Sequence, residues 1–164
     1  MDATKRISVP HPDLKWVPAA GGLIPEGAVQ GGREKDGKPQ YIARAEYRGG
    51  IHLGKAAPHL KGIAIGYDGK EITMPTYEVL CGDAMKVRWL KGEGGRIPQG
   101  WLILEGGSEA DGKELFIAKT EFGSGEHIGK VGYHLGKGMC FTYDGKEKTT
   151  ESYHILVHND APSL

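Results

Sequence analysis

The chain has 164 residues, enough for one compact domain or two small halves that share an interface. Lys and Arg total 21 and so do Asp and Glu, so the formal net charge is zero. A neutral chain neither attracts phosphate backbones nor favours an anionic membrane, which argues against nucleic acid as a partner. No apolar stretch reaches the roughly 18 residues of a membrane span, so membrane insertion is not expected.

Residues 1–13 are expected to form an N-terminal arm. They lack the apolar core and small-residue cleavage site of a signal peptide, which predicts a cytoplasmic location, with release by an unconventional route left open. From Trp16 onward the chain matches itself. Trp16–Leu80 aligns with Trp89–Leu156, with a two-residue gap before a Gly-Gly pair and a one-residue gap near Lys61. Nearly half of the aligned positions are identical, and internal duplication explains this. The expected organisation is repeat 1 over 14–82, a linker over 83–86, repeat 2 over 87–158 and a tail over 159–164.

The elements recur in the same order in both copies. Gly21-Gly22 and Ile24-Pro25-x-Gly27 meet Gly94-Gly95 and Ile97-Pro98-x-Gly100, which read as turns. Gly31-Gly32-x-Glu34-x-Asp36-Gly37-Lys38 meets Gly106-Gly107-x-Glu109-x-Asp111-Gly112-Lys113, a loop followed by a turn. Tyr41–Tyr47 alternates, with Tyr41, Ala43, Ala45 and Tyr47 on one face, and Phe116–Phe122 repeats the pattern. Period-two alternation predicts half-buried strands. Next come Gly50-x-His52-x-Gly54-Lys55 and Gly125-x-His127-x-Gly129-Lys130. Asp68-Gly69 and Asp144-Gly145 then separate extended segments, Ile63–Tyr67 from Lys70–Thr73 and Met139–Tyr143 from Lys146–Thr149. Asp-Gly between such segments predicts hairpins, because both central residues need positive φ. The 27 glycines and the lack of any sustained helical stripe agree with short strands and many turns. The expected fold is therefore all-β: two tandem pseudo-symmetric repeats of short antiparallel strands forming a sandwich-like body.

Among candidate functional residues, Glu34 with Lys55 and Glu109 with Lys130 combine an acceptor with a donor of three hydrogen bonds. Such a pair can hold neighbouring sugar hydroxyls, and the adjacent glycines would let backbone approach a sugar ring. The bland alternative is a pair of solvated surface charges. His52, His59, His127 and His134 recur but lack metal-ligand spacing, so structural histidines are expected and no metal site. If residues 51–55 form a regular strand, His52 and Lys55 point to opposite faces. Glu46 beside Arg44, and Glu121 beside Lys119, read as same-face ion pairs rather than as glycosidase carboxylates. Trp16 and Trp89 are assigned to core packing, and so is Trp101, which has only Ala28 opposite it and has a sugar-stacking platform as its alternative reading. Cys81 and Cys140 do not occupy equivalent places and are expected to be free thiols. No phosphate loop, dinucleotide fingerprint, zinc motif or nucleophile–base set is visible, so neither catalytic residues nor a cofactor is assigned.

Taken in order, Trp-Val-Pro, Gly-Gly, Ile-Pro-x-Gly-Ala, Gly-Gly-x-Glu-x-Asp-Gly-x-Pro-x-Tyr-Ile-Ala-Arg-Ala, Gly-Lys, Tyr-Asp-Gly-Lys-Glu and Tyr-Glu-Val-Leu resemble the DM-nine repeat family. Related repeats accompany the pore-forming part of some natterin-like proteins. The second copy departs at Leu90-Lys91 and at Lys119. The resemblance implies a non-enzymatic lectin that binds mannose or mannose-rich glycans, recognises microbial surfaces and forms homodimers. It places sugar contacts on Glu34 and Lys55, and on Glu109 and Lys130, where the family often has Asp at the acidic position. A protein-interaction or structural module and, further off, a glycosidase are the rival readings.

Overall fold

A computed structural model describes residues 7–160. Residues 1–6 of the expected arm and 161–164 of the expected tail lie outside the described residues. Repeat 1 supplies β2 (Leu14–Ala20), β3 (Gln30–Arg33), β4 (Pro39–Tyr47), β5 (Gly50–Ala57), β6 (Gly62–Tyr67), β7 (Lys70–Met74) and β8 (Thr76–Gly82). Repeat 2 supplies β9 (Val87–Glu93), β10 (Ile103–Leu104), β11 (Gly107–Ser108), β12 (Glu114–Phe122), β13 (Gly125–Val131), β14 (Met139–Tyr143), β15 (Lys146–Thr150) and β16 (Ser152–His158). A short β1 (Ser8–Val9) precedes them and pairs in parallel with β10. Three single-turn 3-10 helices are the only helical elements among the described residues, so the protein is all-β.

Local chemistry sets the hairpins. Asp68 and Gly69 sit at φ 53° and 79°, and Asp144 and Gly145 at 54° and 78°, as a two-residue turn between right-twisted strands requires. Each turn closes its predicted strand pair, β6 with β7 and β14 with β15.

The two repeats are laced together rather than placed side by side. β3 of repeat 1 pairs with β13 of repeat 2 through Arg33 and Glu126, and β11 of repeat 2 pairs with β5 of repeat 1 through Ser108 and Ile51. The hairpin tips also exchange bonds: the Glu71 amide donates to the Gly145 carbonyl at 3.1 Å and the Glu147 amide to the Gly69 carbonyl at 3.0 Å. Following neighbours from β5 through β6, β7, β15, β14, β13, β12 and β11 returns to β5, so the sheet closes on itself into a barrel-like, sandwich-like body.

The second glycine of each Gly-Gly pair makes this exchange sterically possible. A Cβ on Gly32 would collide with the Glu126 carbonyl, and one on Gly107 with the Ile51 carbonyl. These two glycines therefore serve backbone approach between repeats.

Burial falls into three clusters. One lies within repeat 1 around Ala43, Ile63, Ile65, Tyr77 and Val79. A second lies within repeat 2 around Phe116, Val131, Phe141, Tyr153 and Ile155. The third is shared, with Ile42, Leu53 and Leu80 meeting Leu115, Ile117, Ile128 and Leu156. β4 was expected to be half-buried. Its alternation holds, with Ala43 and Ala45 facing the repeat 1 core, but Ile42 on the other face is fully buried in the shared core. Trp16, Trp89 and Trp101 are partly buried against these clusters. Cys81 and Cys140 are unpaired. No helix among the described residues is long and apolar enough to cross a membrane.

Candidate functional site: two composite ionic centres

The loop between β3 and β4 carries Glu34. It is pinned by its amide donating to the Lys38 carbonyl at 2.8 Å and its carbonyl accepting from Gly37 at 2.9 Å. Glu109 is pinned in the same way by Lys113 and Gly112, at 2.8 and 3.0 Å. Each side chain reaches a histidine presented by a 3-10 turn. His59 Nε2 meets a Glu34 carboxylate oxygen at 2.8 Å, and His134 Nε2 meets one of Glu109 at 2.8 Å.

Lys55 and Lys130 lie deeper, with only 4% and 5% of their surface exposed. Such burial sets aside the alternative of solvated surface charges for the two lysines. The Lys55 ammonium donates to His127 Nδ1 and to the Thr142 carbonyl, both at 3.1 Å. The Lys130 ammonium donates to His52 Nδ1 at 3.0 Å and to the Gly66 carbonyl at 2.7 Å. In both cases the lysine comes from one repeat and its partners come from the other. His52 and Lys55 leave β5 towards different sites, as strand alternation predicts, so each of the two central strands serves both sites. Gly54 and Gly129, just before the lysines, let β5 and β13 pass close to the carbonyls of Ala64 and Cys140, where a Cβ would collide.

Hydrogen bonding fixes the tautomer of the buried imidazoles. His127 Nε2 lies 3.1 Å from the Phe122 carbonyl, which can only accept, so Nε2 carries the proton and Nδ1 receives the ammonium. Burial, and then the charge of Lys130, push His52 down to about 4. Burial and the Lys55 charge lower His127 in the same direction. Burial also lowers Lys55, against the opposing fields of Glu34 and Glu71. For Glu34, burial works to raise the carboxyl. The His59 hydrogen bond and the charges of Lys55 and the histidines outweigh it, so the group is held below its ordinary value. Glu34 and Lys55 thus sit in one electrostatic field with no direct bond between them.

The histidines are structural, as expected, but they also complete both sites, a role that the sequence did not assign them. Their twofold recurrence was the available signal. The same-face pairs expected on β4 and β12 are replaced by contacts with neighbouring strands. Arg44 bonds Glu78 at 2.9 Å, in register on β8, and Lys119 meets Glu126 on β13 at 3.4 Å. Glu78 lies directly across from Arg44, and Glu126 lies diagonally from Lys119, which sits opposite Ile128; both cross-strand positions are within reach of a long side chain. A shallow groove lined by Arg44, Glu46, Tyr77 and Glu78 adjoins these contacts. Its cation is already occupied by Glu78 and the Gly106 carbonyl, so it offers less to a ligand than the lysine centres.

Together these features define a duplicated all-β protein with two pseudo-equivalent ionic centres, each assembled from both copies. The DM9 repeat profile matches residues 7–74 and 41–150, and the chain belongs to the DM9 repeat family. Comparison with curated proteins gives no significant match. Among solved structures, the crystal structure of the nematode sperm cell motility protein MFP2B superimposes with a TM-score of 0.62 at 14% identity. The match covers 93% of this chain and 46% of that one, so this chain spans about half the length of that protein. The likeness is one of fold.

Proposed function

We propose that the protein is a non-catalytic lectin that takes neighbouring hydroxyls of mannose-type glycans at Glu34–Lys55 and at Glu109–Lys130. The supporting observation is the state of the lysine. Lys55 spends two of its three N–H groups on His127 and Thr142, which aims a desolvated cation beside a carboxylate that has one oxygen on His59. The remaining ammonium proton donates to one sugar hydroxyl and the free carboxylate oxygen accepts from its neighbour. Both bonds are charge-assisted and preorganised by backbone. The low carboxyl of Glu34 makes it a poor general acid or base near neutral pH, which favours holding a ligand over cleaving it.

Two sites per chain, and four in a homodimer, suit repetitive glycans such as those of microbial surfaces, where linkage multiplies weak single-site affinity. A protein-interaction module is the second reading. It draws on the fold shared with a motility protein, since one fold hosts many functions.

Calorimetric titration with mannose and galactose tests the proposal. Mannose is expected to bind in the millimolar-to-micromolar range. The Glu34→Gln, Glu109→Gln double variant preserves shape and is expected to lose that heat. A folded sample giving no heat with any sugar would favour the interaction module.

A further inference from the structure

Away from the paired centres, the segment before repeat 1 and the end of repeat 2 bring three ligand-type side chains together. His11 precedes β2, His158 ends β16, and Asp160 follows two residues later. One ligand atom from each lies within 4.8 Å of the others. The imidazoles are buried, at 8% and 4% exposure, with ring centroids 5.0 Å apart, while Asp160 is at the surface. The duplication does not explain them, because Ala84 stands opposite His11 and Gly82 opposite His158.

Backbone contacts hold the cluster. The His158 amide donates to the Leu102 carbonyl at 2.8 Å, and its ring Nε2 lies 2.7 Å from the Val9 carbonyl. That carbonyl also accepts the Glu105 amide at 3.1 Å, so the β1–β10 junction fixes its position. A carbonyl cannot donate, so Nε2 of His158 bears the proton and Nδ1 keeps its lone pair. Metal-ligating histidines are commonly oriented by this kind of N–H to carbonyl bond. Asn159 is tied on both sides, its amide to the Lys86 carbonyl and its side chain to that of Met85, at 2.8 and 2.9 Å. This places Asp160 one residue beyond a fixed point. His11 Nδ1 accepts the Asp13 amide at 3.0 Å.

We propose that His11, His158 and Asp160 form a binding site for a divalent transition-metal ion of the zinc class, clipping the segment before repeat 1 to the end of repeat 2 and the residues that follow it. Two imidazole nitrogens and one carboxylate oxygen suit Zn²⁺ with water in the fourth position, and they do not suit Mg²⁺ or Ca²⁺, which prefer oxygen. Bonds of about 2.0–2.2 Å require the three ligand atoms to contract by roughly 1 Å. His11 must also give up the Asp13 amide, either because Nδ1 turns to the metal or because the ring proton moves to Nδ1 to free Nε2. These costs set the expected affinity in the micromolar range.

The test uses the full chain, freed of metal. Titration with Zn²⁺ by calorimetry is expected to show one saturable equivalent at micromolar concentration. Co²⁺ is expected to give the visible absorption of a four-coordinate site. Zn²⁺ is expected to raise the Tm of the native chain. Asp160→Asn alters an exposed side chain outside the core and is expected to weaken Zn²⁺ binding at least about tenfold and to remove the Tm shift. His158→Gln is expected to abolish the equivalent. Absence of saturable Zn²⁺ binding, or binding that Asp160→Asn leaves unchanged, would overturn the assignment even if His158→Gln fails to fold. Sugar titration is independent of this result.

Discussion

The centre around Lys55 and the centre around Lys130 share every charged group, yet their walls differ. Beside Lys55, the amide of Gln40 reaches His127 Nδ1 at 3.4 Å, while its fully buried Oε1 finds no partner among the described residues. The aligned residue in the other copy is Leu115, wholly apolar. Beside Lys130, the Glu147 carboxylate stands 3.9 Å from the ammonium and draws on its remaining charge. The exchanged strands differ too. Arg33 pairs with Glu126 at 3.7 Å on one side, and Ser108 faces Ile51 on the other. Duplication has kept the groups that fix the lysine and the acid, and has let the surroundings diverge. The two centres are therefore expected to be unequal, with the Lys55 ammonium the more available to a ligand.

The largest test of this comparison lies in the shared core. Ile42→Ala and Ile117→Ala, at equivalent positions in the two copies, are each expected to cost about 2–5 kcal/mol. Urea unfolding followed by tryptophan fluorescence and by circular dichroism should remain one coincident transition for both. Separate transitions would show that the copies fold independently, and the comparison would then concern two domains.

A smaller effect comes from acid. An unfolded histidine takes up its proton near 6.5, whereas His52 does so only at about 4 in the folded chain, and His127 is displaced the same way. The native state binds fewer protons in that window, so stability is fully present above 6.5 and declines as pH falls towards 4. Tm measured against pH should show this decline, and His52→Gln should make it shallower. A Tm that is flat through the window would mean that the imidazoles are not held neutral.

The smallest effect sharpens the difference between the walls. Gln40→Leu makes the first centre resemble the second. Removing an unpartnered buried oxygen offsets the loss of a weak contact, so stability should change by no more than about 1 kcal/mol. Sugar titration of this variant should show the two sites drawing closer in affinity.

Much of the architecture was legible because its causes are local. Asp68-Gly69 and Asp144-Gly145 dictate their turns through backbone preference alone, and the alternation in Tyr41–Tyr47 reports one buried face. What escaped was whatever depends on the other copy. Lys55 and His127 are 72 positions apart in sequence, and nothing in either motif says that β3 and β11 cross between repeats. The Gly-Gly pairs signalled close backbone approach without saying to what. Arg44 and Glu46 looked paired because they are neighbours along one strand, while the register that supplies Glu78 exists only once β8 is docked.

The reciprocal origin of lysine and histidine has an evolutionary consequence. A lone repeat would hold half of each centre and complete neither. Two separate copies would assemble both, but only at concentrations high enough for them to meet. Joining the copies through the short segment between β8 and β9 replaces that encounter with a tether, whose effective concentration no longer depends on expression level. The linked chain can then be read as a dimer made permanent, with its binding centres preserved at the seam.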